Sequence, residues 1–100
     1  MEISIEKSAT EILAKLSGRL DTATAHSFEQ YIAPIAEGQP NHVILDCSNF
    51  EYISSTGLRL FLTLQKAIKA NSGKLVIRNL GADIKTVFDM TGFTSLFIFE

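Results

Sequence analysis

Three hydroxyl side chains in succession, Ser54, Ser55 and Thr56, stand directly before Gly57 and an apolar run. Hydroxyls at the point where a helix begins can cap it, attack a substrate or accept a phosphate. One residue is enough for a cap, and Ser54 or Ser55 fits that role. A nucleophile on a strand-to-helix turn would sit in a G-x-S-x-G elbow, but the residue two before Ser55 is Ile53, so half of the motif is missing. The candidate bases, His26 and His42, fall on an amphipathic helix and just before a strand, where each reads as a surface residue. A nucleotide-binding phosphate loop would need more glycines and a Gly-Lys pair. Cys47 is the single cysteine, and with two separated histidines it offers no metal-ligand spacing. It reads as a small core residue near the run. No metal, cofactor or catalysis is therefore expected. A helix start does present unpaired N–H groups and the positive end of the dipole, which suit a phosphate or oxyanion, and Gly57 lets the backbone be approached closely.

The whole chain sets the background for that run. Its 100 residues are 46% apolar and 20% charged, as in an ordinary globule, and fit one domain spanning residues 1–100. A net charge of −2 with dispersed Lys and Arg lacks the footprint of a nucleic-acid binder. The opening "MEISIEKSATEILAK" has charges every few residues and no apolar core, and no run reaches the roughly 18 residues of a membrane helix. The expectation is a cytoplasmic protein without membrane insertion, monomeric when free.

The elements that must position the run follow from periodicity. "MEISIEKSATEILAKLSGRL" alternates apolar and polar residues on both sides of residues 7–10, as a hairpin would. "DTATAHSFEQYIAPIAEG" spaces Thr24, Phe28, Tyr31, Ile32 and Ile35 helically, with Asp21 or Thr22 as cap and Gly38 as stop. Pro34 inside it predicts a kink or an end near Ala33. "HVILD" and "KLVIRN" read as strands, "HVILD" as one covered on both faces, and "CSNFEYI" as a loop leading into a helix over about 55–70. "NSG" turns the chain, "GADIKTVFDMTG" is a short helix, and "SLFIFE" is a last strand. Strands alternating with helices give an α/β fold, its sheet mixed because of the hairpin. On the 55–70 helix, Leu60, Phe61, Leu64, Ala67 and Ile68 fall on the sheet side and Arg59, Thr63, Lys66 and Ala70 opposite. Leu58 and Leu62 fall on a flank with Gln65 and Lys69, where two leucines would suit a partner.

"VILDCSNFEYISSTGLRLFL", preceded by "LSGRLDTATAHSFE", resembles the STAS domain of bacterial anti-sigma factor antagonists over nearly the whole chain. The resemblance implies a mixed sheet of about five strands with helices mainly on one face. It further implies a binding protein rather than an enzyme. Its partner would be an anti-sigma factor that is also a serine kinase of the GHKL type. The unphosphorylated domain binds that kinase and frees the sigma factor, so controlling transcription; phosphorylation ends binding and a phosphatase restores it. The family's phosphoserine stands two residues before the motif glycine, which is Ser55 here. Where many members have aspartate this chain has Ser54, which makes Ser54 a rival acceptor. Asp21 matches an aspartate near the phosphosite, where it positions the serine, assists transfer or only caps the first helix. Asp46 matches an aspartate at the end of the third strand, with a structural role. Together with Thr56, Gly57, Leu58 and Leu62, Asp21 and Ser54 make up the expected partner-binding and site-positioning set. STAS domains also serve as soluble subunits of lipid-transport or stress-signalling complexes, an alternative without a phospho-switch.

Overall fold

The computed structural model describes residues 1–38 and 41–100. Five strands form one sheet in the order β1-β2-β3-β4-β5, each beside its predecessor in the chain. The hairpin of β1 (Glu2–Lys7) and β2 (Ile12–Leu20) is antiparallel; β3 (His42–Ile53), β4 (Lys74–Arg78) and β5 (Ile98–Phe99) follow in parallel. Helices α1 (Ala25–Glu37), α2 (Ser55–Ala70) and α3 (Ala82–Met90) make the crossovers. Alternation puts Ile12, Ala14 and Leu16 of β2, Val43, Leu45 and Cys47 of β3, and Leu75 and Ile77 of β4 on one face. They join the buried stripes of all three helices in one core. Phe61 sits at its centre, with ring centroids 5.6 Å from Phe28, 5.9 Å from Phe50 and 6.0 Å from Phe88.

The hairpin, the α/β alternation, the helix over 55–70 and the turn at 71–73 are as the sequence predicts. Three expectations are corrected. First, β3 does not stop at Asp46 but runs through "CSNFEYI" to Ile53. Its pairing with β2 skips twice, from Lys15↔Asp46 to Ser17↔Asn49 and from Gly18↔Phe50 to Arg19↔Tyr52, each time with one extra β3 residue. These bulges disturb the alternation that marks a strand, and Gly18 supplies the φ of +91° needed between them. Second, α1 passes through Pro34 to Glu37, because the proline lies on the exposed side and Ile35 anchors the following turn in the core. Tyr31, expected on the buried stripe, is 48% exposed. Third, β5 is only Ile98–Phe99; Thr94–Leu96 form a 3-10 turn. As its continuous apolar run predicts, "HVILD" is buried on both faces: Val43 and Leu45 lie in the main core, while Ile44, paired with Val76 across the β3–β4 ladder, is buried outside it.

Candidate functional site

The hydroxyl run lies where β2 and β3 end together. Leu20 and Ile53, the last residues of these strands, are paired, and the Ser54 N–H donates to the Leu20 carbonyl at 2.8 Å. No loop intervenes: Ser54 has extended backbone angles and Ser55 is the first helical residue. The three hydroxyls then divide. Ser54 is the cap, its Oγ accepting from the Gly57 N–H at 3.2 Å, while its carbonyl accepts from Leu58 N–H at 2.9 Å. Ser55 is exposed, and its hydroxyl has no hydrogen-bond partner among the described residues. Thr56 is half-buried. The N–H groups of Ser55 and Thr56 likewise meet no protein acceptor among the described residues, and the first turn of α2 holds no acidic side chain. The positive end of this helix is open to an anion.

Gly57 has a different purpose from the one its sequence position indicates. It is buried, and a Cβ there would lie 2.8 Å from both Ile53 Cγ1 and Leu20 Cγ. The close approach is of the strand ends, not of a ligand; it seats the helix start on β2 and β3. Leu58 is corrected as well: it is 3% exposed and belongs to the core, so it supports the site from beneath and forms no part of a surface. The buried arc is Gly57, Leu58, Phe61, Leu64 and Ile68, turned towards Leu58 from the expected arc because α2 packs on α1 as well as on the sheet. Leu60 and Ala67 are half-buried, as is Leu62, which stays on the outer flank.

Asp21 directly follows Leu20 at the same rim. Its Oδ1 accepts from the N–H groups of Ala23 and Thr24 at 3.0 and 3.1 Å. Thr24 precedes the first helical residue but its side chain makes no cap bond; the capping oxygen comes from Asp21, one of the two residues the sequence offers, through the turn that leads into α1. Arg19 Nε lies 3.9 Å from Asp21 Oδ2 and the guanidinium stands 4.2 Å from the Tyr52 ring centre. The sequence reading omits Arg19 and Tyr52; their contact depends on the β2–β3 register, which the bulges hide. Asp46, in mid-strand rather than at a strand end, accepts from the Ser48 hydroxyl at 2.6 Å, the Ser48 N–H at 3.1 Å and Asn79 Nδ2 at 3.3 Å. The Ser48 hydroxyl is the main cause holding its carboxyl below the usual range, against partial desolvation. Burial pushes the Cys47 thiol up to about 12, aided by the Asp46 charge, which leaves it an inert core thiol. Among the described residues no group of three potential metal ligands occurs, and no helix is long and apolar enough to cross a membrane.

The family model described as STAS domain matches residues 2–100. BtrV of Bordetella bronchiseptica is 32% identical over 97 residues, covering 97% of this chain and 84% of the relative. An anti-sigma-B factor antagonist of Staphylococcus epidermidis is 33% identical over 82 residues, 82% of this chain and 76% of that protein. In three dimensions the chain is similar to SpoIIAA, an anti-sigma factor antagonist and Bacillus cell fate determinant solved in two forms. The unphosphorylated form has a TM-score of 0.81 at 18% identity, covering 99% of this chain and 88% of the other. The phosphorylated form has a TM-score of 0.76 at 19% identity, covering 99% and 91%. At these identities the likeness is one of fold.

Proposed function

Because this chain belongs to the STAS domain family, we propose that it is an anti-sigma factor antagonist, a binding regulator whose affinity for its partner is set at Ser55. The observation that carries the reading is the division of labour between adjacent serines: Ser54 is engaged as the helix cap, while the Ser55 hydroxyl stands exposed and unbonded at an anion-tolerant helix start. The partner in this reading is an anti-sigma factor with serine-kinase activity of the GHKL type. Unmodified, the rim formed by Asp21, Ser55, Thr56 and Leu62 binds it and releases a sigma factor for transcription in the cytoplasm. In the transfer step the Ser55 O–H bond and the terminal P–O bond of ATP break, an Oγ–P bond forms, and ADP and a proton leave. Asp21 is the positioning carboxylate. A phosphatase returns the hydroxyl by hydrolysis.

The physics favours a switch that leaves the fold alone. A phosphate adds about −1.5 to −2 charges and three strong acceptors. The open N–H groups of Ser55 and Thr56 suit those oxygens, so the domain tolerates the charge. A partner packed on the same spot would have to desolvate it, so affinity falls without a change of shape. Ser54 is the poorer acceptor, since its hydroxyl oxygen is half-buried and already engaged by the Gly57 N–H, whereas that of Ser55 is exposed and unengaged among the described residues. The test is capture of partners by the wild type, Ser55→Ala and Ser55→Asp. Retention of a GHKL-type kinase by the first two and its loss with Ser55→Asp is the expected result. Equal capture by all three would overturn the switch and favour a scaffold subunit of a transport or stress complex.

A further inference from the structure

We propose that the trough between the C-terminal half of α2 and the Thr94–Phe99 segment docks an acidic, amphipathic segment of a protein partner. The first ground is charge. Helix α2 carries Arg59, Lys66 and Lys69 and no Asp or Glu, in a chain whose nine Lys and Arg are outnumbered by 11 acids. Elsewhere three cations are paired, in Arg19–Asp21, Arg78–Glu100 and Lys85–Asp89, and Lys7 and Lys15 on the hairpin are not, but the hairpin also carries Glu2, Glu6 and Glu11. None of the α2 cations has such a partner among the described residues, nor has Lys74.

The second ground is shape. A cavity of about 460 Å³ lies between Leu62, Lys66 and Lys69 on α2 and Leu96 on the facing turn. A neighbouring one of about 220 Å³ shares Gln65, Lys69, Ser95 and Leu96 and extends to Lys74 and Ile98, so the two form one trough. Its apolar side chains are on offer: Leu62 is half-buried, Leu96 45% exposed and Ile98 43% exposed. Gln65 Nε2 donates to the Leu96 carbonyl at 2.9 Å and ties the walls together. Three lysines on the rim, apolar residues within and no carboxylate in the lining complement a segment that alternates carboxylates with apolar side chains. A bare polyanion would leave the apolar residues unused.

The trough is remote from Ser55. It begins seven residues along α2, roughly 10 Å away by helical rise, and extends to the start of β4, the opposite end of the strands from the hydroxyl run. Leu62 alone is common to the trough and the proposed switch rim; the lysines, Leu96 and Ile98 lie beyond it, so the trough would hold a partner in either phosphorylation state.

Amide NMR titration with defined probes tests this. A synthetic helical peptide of Leu and Glu should shift amides of residues 62–69 and 95–98 and spare the turn at 54–57. The double variant Lys66→Glu/Lys69→Glu should weaken it by about tenfold or more, Leu96→Ser should also weaken it, and Ser55→Asp should not. All these side chains are exposed, so unchanged melting curves will show that the variants fold. Equal binding of a Leu/Lys peptide, or no effect of the lysine reversals, would overturn the proposal. So would shifts at these residues with phosphatidylglycerol vesicles and none with the Leu/Glu peptide, which would mark a membrane-facing surface instead.

Discussion

At its first turn α2 buries Gly57 and Leu58 side by side and leaves Ser55 outside; along its last two turns it buries Leu64 and Ile68 and turns Lys66 and Lys69 to solvent. One end is wedged onto two strand ends so closely that a single Cβ has no room. The other meets its neighbour across an open trough bridged by one side-chain hydrogen bond. The tight end fixes the backbone that carries the exposed Ser55 hydroxyl, and the loose end offers area and charge. A chemical modification needs the first and a docking contact needs the second, so one helix can serve both because its ends are packed so differently.

Stability measurements can break this contrast. Leu58→Ala should cost about 2–5 kcal/mol as a core truncation, whereas Leu62→Ala, half-buried at the loose end, should cost less than about 1 kcal/mol. Equal losses in chemical denaturation would erase the distinction between the ends. Gly57→Ala should lower stability by about 1–3 kcal/mol despite alanine's better helix propensity, because its methyl meets Leu20 and Ile53 at 2.8 Å. A more stable alanine variant would show the wedge to be slack. Within the wedge the serines should separate: Ser54→Ala costs about 1 kcal/mol for the lost cap, and Ser55→Ala stays within about 0.5 kcal/mol. The smallest effect belongs outside α2. Asp46 has its carboxyl lowered in the fold, so its bond from Ser48 stabilises fully above the ordinary carboxylate value and is lost as pH falls through the lowered one. The stability gap between wild type and Ser48→Ala should thus be present at neutral pH and close in acid, while the Ser54→Ala gap should persist there.

The helix bounds at 55 and 70 were legible because a hydroxyl run and a 3.6-residue period mark them locally. Which serine would cap was not, since either could reach an N–H; the backbone path out of β3 decides it. Leu58 reads as a flank residue because the helical projection considers the sheet alone, whereas α2 packs on α1 as well. The latter half of β3 was hidden for another reason. Ser48, Asn49, Glu51 and Tyr52 are exposed and two bulges upset their alternation, so a strand held by its neighbour β2 reads locally as a loop. Pro34 misled in the opposite sense, a strong local signal overridden by the packing of Ile32 and Ile35.

The strand order β1-β2-β3-β4-β5 bears on how the molecule is made. Each strand adds to the edge left by the one before it, and none has to be inserted between two already paired. A chain leaving the ribosome can therefore close the hairpin first and extend the sheet one crossover at a time, without undoing earlier pairings. The wedge under Ser55 would be complete once α2 has emerged, whereas the trough must wait for Leu96 and Ile98, which follow β4 and α3 in the chain.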